Sequence, residues 1–288
     1  MNGLRFWVHG RDFDRPAVVC EPGLGASSVG WAAVRDGIAA VTRVVTYDRR
    51  GLGASPACRD GRGVAALAAD LAYVIGCAGG PAVLVGHSLG ATVGRHLAAT
   101  RADLVAGLIL IDPVPDQWIL RHAGWAGPIG QAGYVAMESL ARLGLIDVAM
   151  ALPVLRGVTR SSTSSHAALT DAARDLLADE MRRPVSHRTA RDEYRGLLRS
   201  RAELRALNAD PAVAVPLTVI SGGQSHPLGS HLRRAATAWH ARLVDISPDA
   251  RHVVVDGGHC IPRYRPDVVT AVTAELLARI DDKHRRSA

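Results

Sequence analysis

The sequence is poor in several residue types, and each shortage excludes a class of protein. Lys283 is the only lysine among the 34 basic residues, and Phe6 and Phe13 are the only phenylalanines. The arginines are spread along the chain with acids among them, whereas a nucleic-acid binder usually carries a basic stripe with interleaved aromatic residues. We therefore expect no nucleic-acid partner in spite of the net charge of +7. The basic cluster at 284–286 is typical of a solvated tail.

Cysteine is also scarce, and its spacing excludes the common metal and disulfide frameworks. The four cysteines stand at 20, 58, 77 and 260, with no Cys-x-x-Cys and no zinc-like Cys/His spacing. The N-terminus lacks the apolar stretch of a secretory signal peptide, and no apolar run approaches the roughly 20 residues that span a bilayer. We therefore expect free thiols, no metal, no membrane partner and a cytoplasmic location.

Short apolar runs alternate with helical stretches through most of the chain. Strands are predicted at 17–20, 44–47, 83–85, 108–111, 217–220 and 252–255. Helices are predicted at 29–40, 64–76, 89–100, 232–243 and 268–280. Continuous apolar strands separated by helices indicate an α/β fold with a mostly parallel, doubly wound sheet that is covered on both faces.

A block without convincing strands interrupts this alternation. Between about 116 and 208 the clearest signal is an amphipathic helix at 169–181, with apolar residues at i, i+3, i+4 and i+7, after a polar turn at 161–165. The sequence thus predicts a core made of residues 1–115 and 209–288, with a helical insertion at 116–208.

A nucleophile motif follows the third predicted strand. Gly86-His87-Ser88-Leu89-Gly90 fits G-x-S-x-G, comes directly after an apolar strand and opens a helix, as a nucleophile elbow requires. A plain glycine-rich turn can share this pattern, but the strand–turn–helix context favours Ser88 as a nucleophile. The strained turn would expose its hydroxyl at the sheet edge, near the positive end of the helix.

A serine nucleophile needs a general base, and His259 stands where one is required. It follows the last predicted strand and a Gly257-Gly258 turn, so the sheet would aim it at Ser88. The alternative is an ordinary surface-loop histidine.

Four segments, taken in order, resemble the signatures of the α/β-hydrolase superfamily. They are Glu21-Pro22-Gly23-Leu24-Gly25, Tyr47 to Ser55, the motif around Ser88, and Gly258-His259. The resemblance covers roughly 1–115 and 210–285, and the block between is similar in kind to the helical cap of that family. It implies catalysis through an acyl-enzyme without cofactor or metal, and an oxyanion hole made by the backbone N–H groups of Leu24 and Leu89. Pro22-Gly23 stands where many relatives have His-Gly.

The Tyr47–Ser55 segment is interpreted as structural. We expect Asp48 and Arg49 to pair, with Gly51 and Gly53 shaping a loop near the site. Arg50 could meet an acidic substrate, but a structural role is favoured.

The catalytic acid is where the chain departs from its relatives. These often carry an aspartate after the next-to-last core strand, whereas the segment from Gly222 to Ser225 has no carboxylate. Asp112 ends the strand that follows the nucleophile helix, and we predict that it lies within hydrogen-bond reach of His259. Asp116 and Asp256 are alternatives, and Asp112 could instead cap the start of the insertion.

These residues predict a serine hydrolase that cleaves an ester, thioester or related acyl bond of a small molecule. The same fold supports lyases, acyltransferases and cofactor-free oxygenases, and the missing carboxylate at 225 leaves a non-catalytic receptor for a small ligand open. Aspartyl-ester chemistry on halides or epoxides is disfavoured, because residue 88 is serine. The insertion should roof the pocket and select the substrate.

Overall fold

The computed structural model describes residues 3–12, 14–57, 61–152, 169–223 and 230–287, apart from the side chains of residues 284 and 287. In these ranges the strands are β1 (Arg5–His9), β2 (Val18–Glu21), β3 (Val44–Asp48), β4 (Ala82–His87), β5 (Val105–Ile111), β6 (Leu217–Gly222) and β7 (Ala250–Val255). They form one sheet in the order β1-β3-β2-β4-β5-β6-β7. Only β1 is antiparallel to its neighbour, so the predicted mostly parallel sheet is confirmed.

The helices follow the strands as the alternation predicts. They are α1 (Ala32–Ile38), α2 (Val64–Cys77), α3 (Leu89–Thr100), α4 (Asp116–Arg142), α5 (Ile146–Ala151), α6 (Asp171–Arg182), α7 (Pro184–Arg199), α8 (Arg201–Ala209), α9 (Ser230–Arg242), α10 (Ile261–Tyr264) and α11 (Pro266–Ser287). Helices α2, α3 and α9 cover one face of the sheet, where Leu84 and Leu108 are fully buried. Helices α1 and α11 cover the other face, over Val83 and Ile109. Alternate side chains of β4 and β5 thus pack into two cores, one on each face of the sheet. This is why these strands are apolar throughout.

Two local features differ from the sequence prediction. Strand β1 was not predicted, because it is an edge strand with half-exposed residues such as Trp7 and Val8 and carries no continuous apolar run. The helix predicted at 29–40 is shorter: a 3₁₀ turn at Ser28–Trp31 leads into α1.

Helices α4 to α8, which we call the cap helices, connect β5 to β6. No strand occurs in the described part of this connection, 116–152 and 169–209, and α4 packs along α7. The polar turn predicted at 161–165 lies outside the described residues. None of the helices described is long and apolar enough to cross a membrane.

Candidate active site

Ser88 is the single residue between β4 and α3, and its backbone conformation is strained. Its φ is 53° and its ψ is −115°, in a region that residues other than glycine rarely adopt. The flanking glycines make the turn fit. A Cβ on Gly86 would lie 2.5 Å from the carbonyl oxygen of Gly90, and one on Gly90 would lie 2.3 Å from that of Glu21. The motif therefore forms the tight strand–helix turn that its sequence predicts.

His259 is held by the carboxylate of Asp112. Asp112 Oδ2 lies 2.6 Å from His259 Nδ1, while Oδ1 accepts hydrogen bonds from Arg233 Nη1 at 2.6 Å and from the Gly222 N–H at 3.1 Å. Burial alone would raise the pKa of Asp112, but its hydrogen bonds and charge interactions with His259 and Arg233 hold that pKa well below its usual range. The acid is therefore ionised at neutral pH and can only accept at Nδ1.

The sheet explains why Asp112 reaches the histidine. Strands β5 and β6 are parallel neighbours, with Ile111 opposite Ile220, and the Asp112 N–H donates to the Ile220 carbonyl at 2.7 Å. Asp112 itself has a φ of 43°, so the backbone turns sharply as the strand ends. The carboxylate is thereby delivered to the same sheet edge as Ser88, as the sequence predicted for this strand end.

A buried histidine, which the sequence analysis did not single out, supports the backbone around Asp112. His240 Nε2 lies 2.7 Å from the Pro113 carbonyl, which can only accept, so this nitrogen carries the proton. Nδ1 then accepts from the Ser221 hydroxyl at 2.7 Å. Burial lowers the pKa of His240, which favours this neutral form. The ends of β5 and β6 are thus tied to α9 on both sides of Asp112.

His87 is a second residue that the sequence analysis named only as part of the motif. Its Nε2 donates to the His259 carbonyl at 2.9 Å, and the two rings are 4.8 Å apart. Burial and, to a smaller extent, the nearby His259 lower the pKa of His87 to about 3. A neutral His87 therefore fixes the backbone of the His259 loop without adding charge to the site.

The segment of residues 21–25, called the 21–25 loop below, runs directly beside Ser88. A Cβ on Gly23 would lie 2.9 Å from His87 Nδ1 and 3.5 Å from Ser88 Cβ, so only glycine fits there. The backbone N–H groups of Leu24 and Leu89 have no hydrogen-bond partner within the described part of the chain. Both remain available to an acceptor.

A buried charge cluster lies behind this loop. The guanidinium of Arg49 lies 2.8 Å from Glu21 Oε1 and 2.9 Å from Glu193 Oε1, and the three side chains are completely buried. Tyr47 donates a hydrogen bond to the other oxygen of Glu21. Burial raises the pKa of Glu21, and Arg49 and Tyr47 counteract that rise. Because Glu193 belongs to α7, the cluster joins the cap helices to the core.

The cluster also holds the 21–25 loop in place. Arg49 donates to the Pro22 carbonyl at 2.9 Å and to the Gly23 carbonyl. Glu193 Oε2 accepts from the Gly25 N–H at 2.8 Å. Backbone groups on both sides of Leu24 are therefore fixed by one arginine and one cap carboxylate.

A cavity of about 810 Å³ opens in front of Ser88 and His259. Its roof comes from α4 and α7 and is largely apolar and aromatic, with Trp118, Ile119, Tyr134, Tyr194, Leu197 and Leu198. The cap helices thus cover the sheet edge at which Ser88 lies and form much of the wall that a ligand would contact.

A comparison with known families decides where this architecture belongs. The sequence profile described as "alpha/beta hydrolase fold" matches residues 16–265, most of the chain. The chain belongs to the α/β-hydrolase fold family.

Solved structures agree with this assignment, although at these identities they show the fold alone. A "putative epoxide hydrolase from Pseudomonas aeruginosa" has a TM-score of 0.71 and 21% identity, with 97% of this chain and 93% of that chain covered. A "thermophilic esterase from Thermogutta terrifontis" has a TM-score of 0.66 and 22% identity, with 96% and 93% covered.

Among curated proteins, the α/β-hydrolase is similar to a "Putative carbamate hydrolase RutD" from Variovorax paradoxus (strain S110). The two are 38% identical over 112 residues, which make up 38% of this chain and 42% of that relative. The chain thus spans about two fifths of the length of this relative.

The two alternative acids of this α/β-hydrolase occupy other environments. Asp116 is fully buried and forms an ion pair with Arg95 at 2.8 Å. The side chain of Asp256 is exposed at the end of β7. Position 225, where the usual carboxylate is missing, lies outside the described residues. No group of three or more His, Cys, Asp or Glu side chains that could hold a metal ion occurs in the ranges that are described.

The expected pairing of Asp48 with Arg49 is wrong. Arg49 points to the two buried glutamates instead, and Asp48 accepts a hydrogen bond from the Ser28 N–H at 2.7 Å. Asp48 is also buried, but its second oxygen accepts from the Ala54 N–H at 2.8 Å, so its carboxylate holds neighbouring backbone and not Arg49. Arg50 pairs with Asp70 at 2.5 Å, in keeping with the structural role that was favoured for it.

Proposed function

We propose that this α/β-hydrolase cleaves an ester, thioester or related acyl bond of a small molecule through an acyl-enzyme on Ser88. The observation that carries the proposal is the 2.6 Å hydrogen bond between His259 and Asp112 at the sheet edge that presents Ser88 in its strained turn. A binding protein would need neither the strained serine nor the oriented histidine, so the pair favours catalysis over a receptor.

The proton inventory assigns a role to each side chain. The ionised Asp112 accepts from Nδ1 of His259, so that the lone pair of the neutral ring lies on Nε2. As Ser88 Oγ attacks the carbonyl carbon, Nε2 takes the hydroxyl proton and Asp112 stabilises the imidazolium. His259 then protonates the leaving group. Water, deprotonated by the same nitrogen, hydrolyses the acyl-enzyme and restores Ser88.

The negative charge on the carbonyl oxygen needs preorganised donors. We assign them to the backbone N–H groups of Leu89, at the start of α3, and of Leu24, in the 21–25 loop. Their lack of another partner within the described residues supports this assignment. Losing one side-chain donor of this kind typically costs about 3–4 kcal/mol of transition-state stabilisation.

One curated relative supports the acyl class without fixing the substrate. It is named as a putative carbamate hydrolase, and a carbamate contains a carbonyl carbon bonded to heteroatoms. Epoxide opening through an aspartyl ester does not suit this chain, because residue 88 is serine.

Labelling with a fluorophosphonate, followed by peptide mapping, tests the nucleophile. We expect modification of Ser88, with labelling and turnover of p-nitrophenyl esters lost in Ser88→Ala, turnover falling on the order of 10⁴- to 10⁶-fold. Ser139→Ala, which removes an exposed hydroxyl on α4, is the matched control and should label like the wild type. Modification elsewhere, or none, would refute the proposed nucleophile.

A further inference from the structure

Arg263 places an unpaired positive charge in the wall of the cavity that contains Ser88. It lies on α10, four residues after His259, and its side chain is partly buried. Its guanidinium makes no hydrogen bond or ion pair with any of the described residues, whereas Arg49 and Arg233, near the same site, are both paired with carboxylates.

The composition of the cavity wall makes this charge stand out. Among the residues that line the cavity in the described ranges, no aspartate or glutamate occurs, and Arg263 is the one arginine. The two lining histidines next to the serine are His87, held neutral by burial, and the proposed base His259. A ligand in this cavity therefore meets one strong cation in largely apolar surroundings.

Space for the guanidinium is provided by a glycine. A Cβ on Gly30 would lie 3.3 Å from Arg263 Nε and 3.4 Å from Nη2, so the planar group rests against bare backbone. Arg263 interacts electrostatically with Glu180, and both residues line a second, smaller cavity. Glu180 accepts from the Ser27 hydroxyl at 2.7 Å and forms no ion pair with Arg263. Arg263 thus lines the main cavity with a guanidinium that has no acceptor among the described residues.

We propose that Arg263 binds a carboxylate of the substrate, which would make the substrate a small acyl compound with a second, anionic group. The inference rests on the proposed function, since it places the reacting carbonyl at Ser88. A planar guanidinium matches a carboxylate with two parallel hydrogen bonds, and the low polarity of the cavity strengthens such a pair. The apolar walls suit the carbon chain between the two groups.

Hydrolysis of matched esters tests this subsite. The substrates are monoethyl esters of dicarboxylic acids from succinate to suberate, each compared with the amide in which –CONH2 replaces –COO⁻. For the best chain length we expect kcat/KM to be higher for the acid on the order of 10- to 100-fold, the range of a hydrogen-bonded charge. Arg263→Gln should abolish the preference by lowering kcat/KM for the acid to the level of the amide, and Arg263→Lys should retain part of the preference. Arg121→Gln, which removes a positive charge from an exposed site on α4, should retain all of it.

Binding to a protein that cannot turn over separates this inference from the proposed function. Calorimetric titration of the same ester pair into Ser88→Ala, with Arg263 intact or changed to Gln, should show tighter binding of the acid only when Arg263 is present. Equal binding of acid and amide, or a preference that survives Arg263→Gln, would overturn the subsite. Phosphonate labelling of Ser88 without an acid preference would leave the proposed function standing and reject the subsite alone.

Discussion

The carboxylate of Glu193, on cap helix α7, accepts a hydrogen bond at 2.8 Å from the Gly25 N–H in the loop beside Ser88. The same carboxylate pairs with Arg49, which donates to two carbonyls of that loop. A residue of the cap helices is therefore part of the support of the proposed oxyanion hole. If the proposed function holds, the cap helices contribute to the chemical step as well as to substrate choice.

Glu193→Gln should lower kcat more than it changes KM. The glutamine keeps an acceptor for Gly25 but removes one of the two charges that hold Arg49, so the loop donors lose their alignment. We expect kcat to fall on the order of 10- to 100-fold, part of the cost of losing an oxyanion donor. Stability should also fall by about 3–5 kcal/mol, since a buried ion pair is broken. Steady-state kinetics and denaturant unfolding measure the two effects.

The neighbouring Asp192→Asn is the control for Glu193→Gln. Asp192 is partly exposed and only loosely paired with Arg191 and Arg195, at 3.8 Å each. Its loss should change stability by less than about 1 kcal/mol and leave kcat as it is. A Glu193→Gln protein that loses stability but keeps the wild-type kcat would show a purely structural role.

Two glycine substitutions should have opposite effects on the free energy of unfolding. Gly86→Ala would place a Cβ 2.5 Å from the Gly90 carbonyl oxygen and 2.8 Å from Ala91 Cα, backbone atoms that cannot rotate away. We expect a loss of about 1–3 kcal/mol, as for other overpacked sites, together with loss of turnover. Gly76→Ala, in α2 with open space around it, should instead stabilise by about 0.5–1 kcal/mol. Denaturant unfolding checks both, and a fully active, stable Gly86→Ala would contradict the packing argument.

The sequence predicted those parts of the molecule that depend on local pattern. The strands around Val83 and Ile109 are apolar throughout because both faces of the sheet are covered, and this leaves a clear signal. Ser88 is recognisable because its turn needs glycine on either side. Asp112 could be proposed because neighbouring parallel strands end at one edge, so topology alone brings it near His259.

Contacts between distant segments could not be predicted in the same way. Arg49 and Glu193 are 144 positions apart and meet only because α7 packs over the sheet, so the closer Asp48 was a natural but wrong partner. Arg263 is distinguished because it has no ion-pair partner among the described residues, and this depends on how distant segments pack. Strand β1 owes its place to pairing with β3, since its own residues are half exposed.

Asp112→Asn should reduce turnover by up to about 10⁴-fold while the protein stays folded. An asparagine amide can donate to His259 Nδ1 and so stabilise the wrong tautomer, which leaves no base facing Ser88. The rate of ester hydrolysis and the rate of phosphonate labelling should both fall, and thermal unfolding verifies the fold. Asp256→Asn, at an exposed site nearby, should retain wild-type rates. Unchanged turnover in Asp112→Asn would remove it from the proposed triad.

His87→Gln should make the stability of the protein less sensitive to acid. The pKa of His87 is lowered from 6.5 to about 3 by burial, so the folded protein keeps this ring neutral while the unfolded chain takes up a proton below about pH 6.5. The contribution of the neutral ring to stability is therefore complete above pH 6.5 and declines as the pH falls toward 3. The slope of stability against pH is at most about 1.4 kcal/mol per pH unit.

Urea unfolding of wild type and His87→Gln between pH 7 and 4 measures this effect. The two slopes should differ by up to this amount, because glutamine cannot titrate but can still donate to the His259 carbonyl. His122→Gln, at an exposed position on α4, serves as the histidine control and should follow the wild-type slope. Parallel curves for wild type and His87→Gln would contradict the lowered pKa of His87.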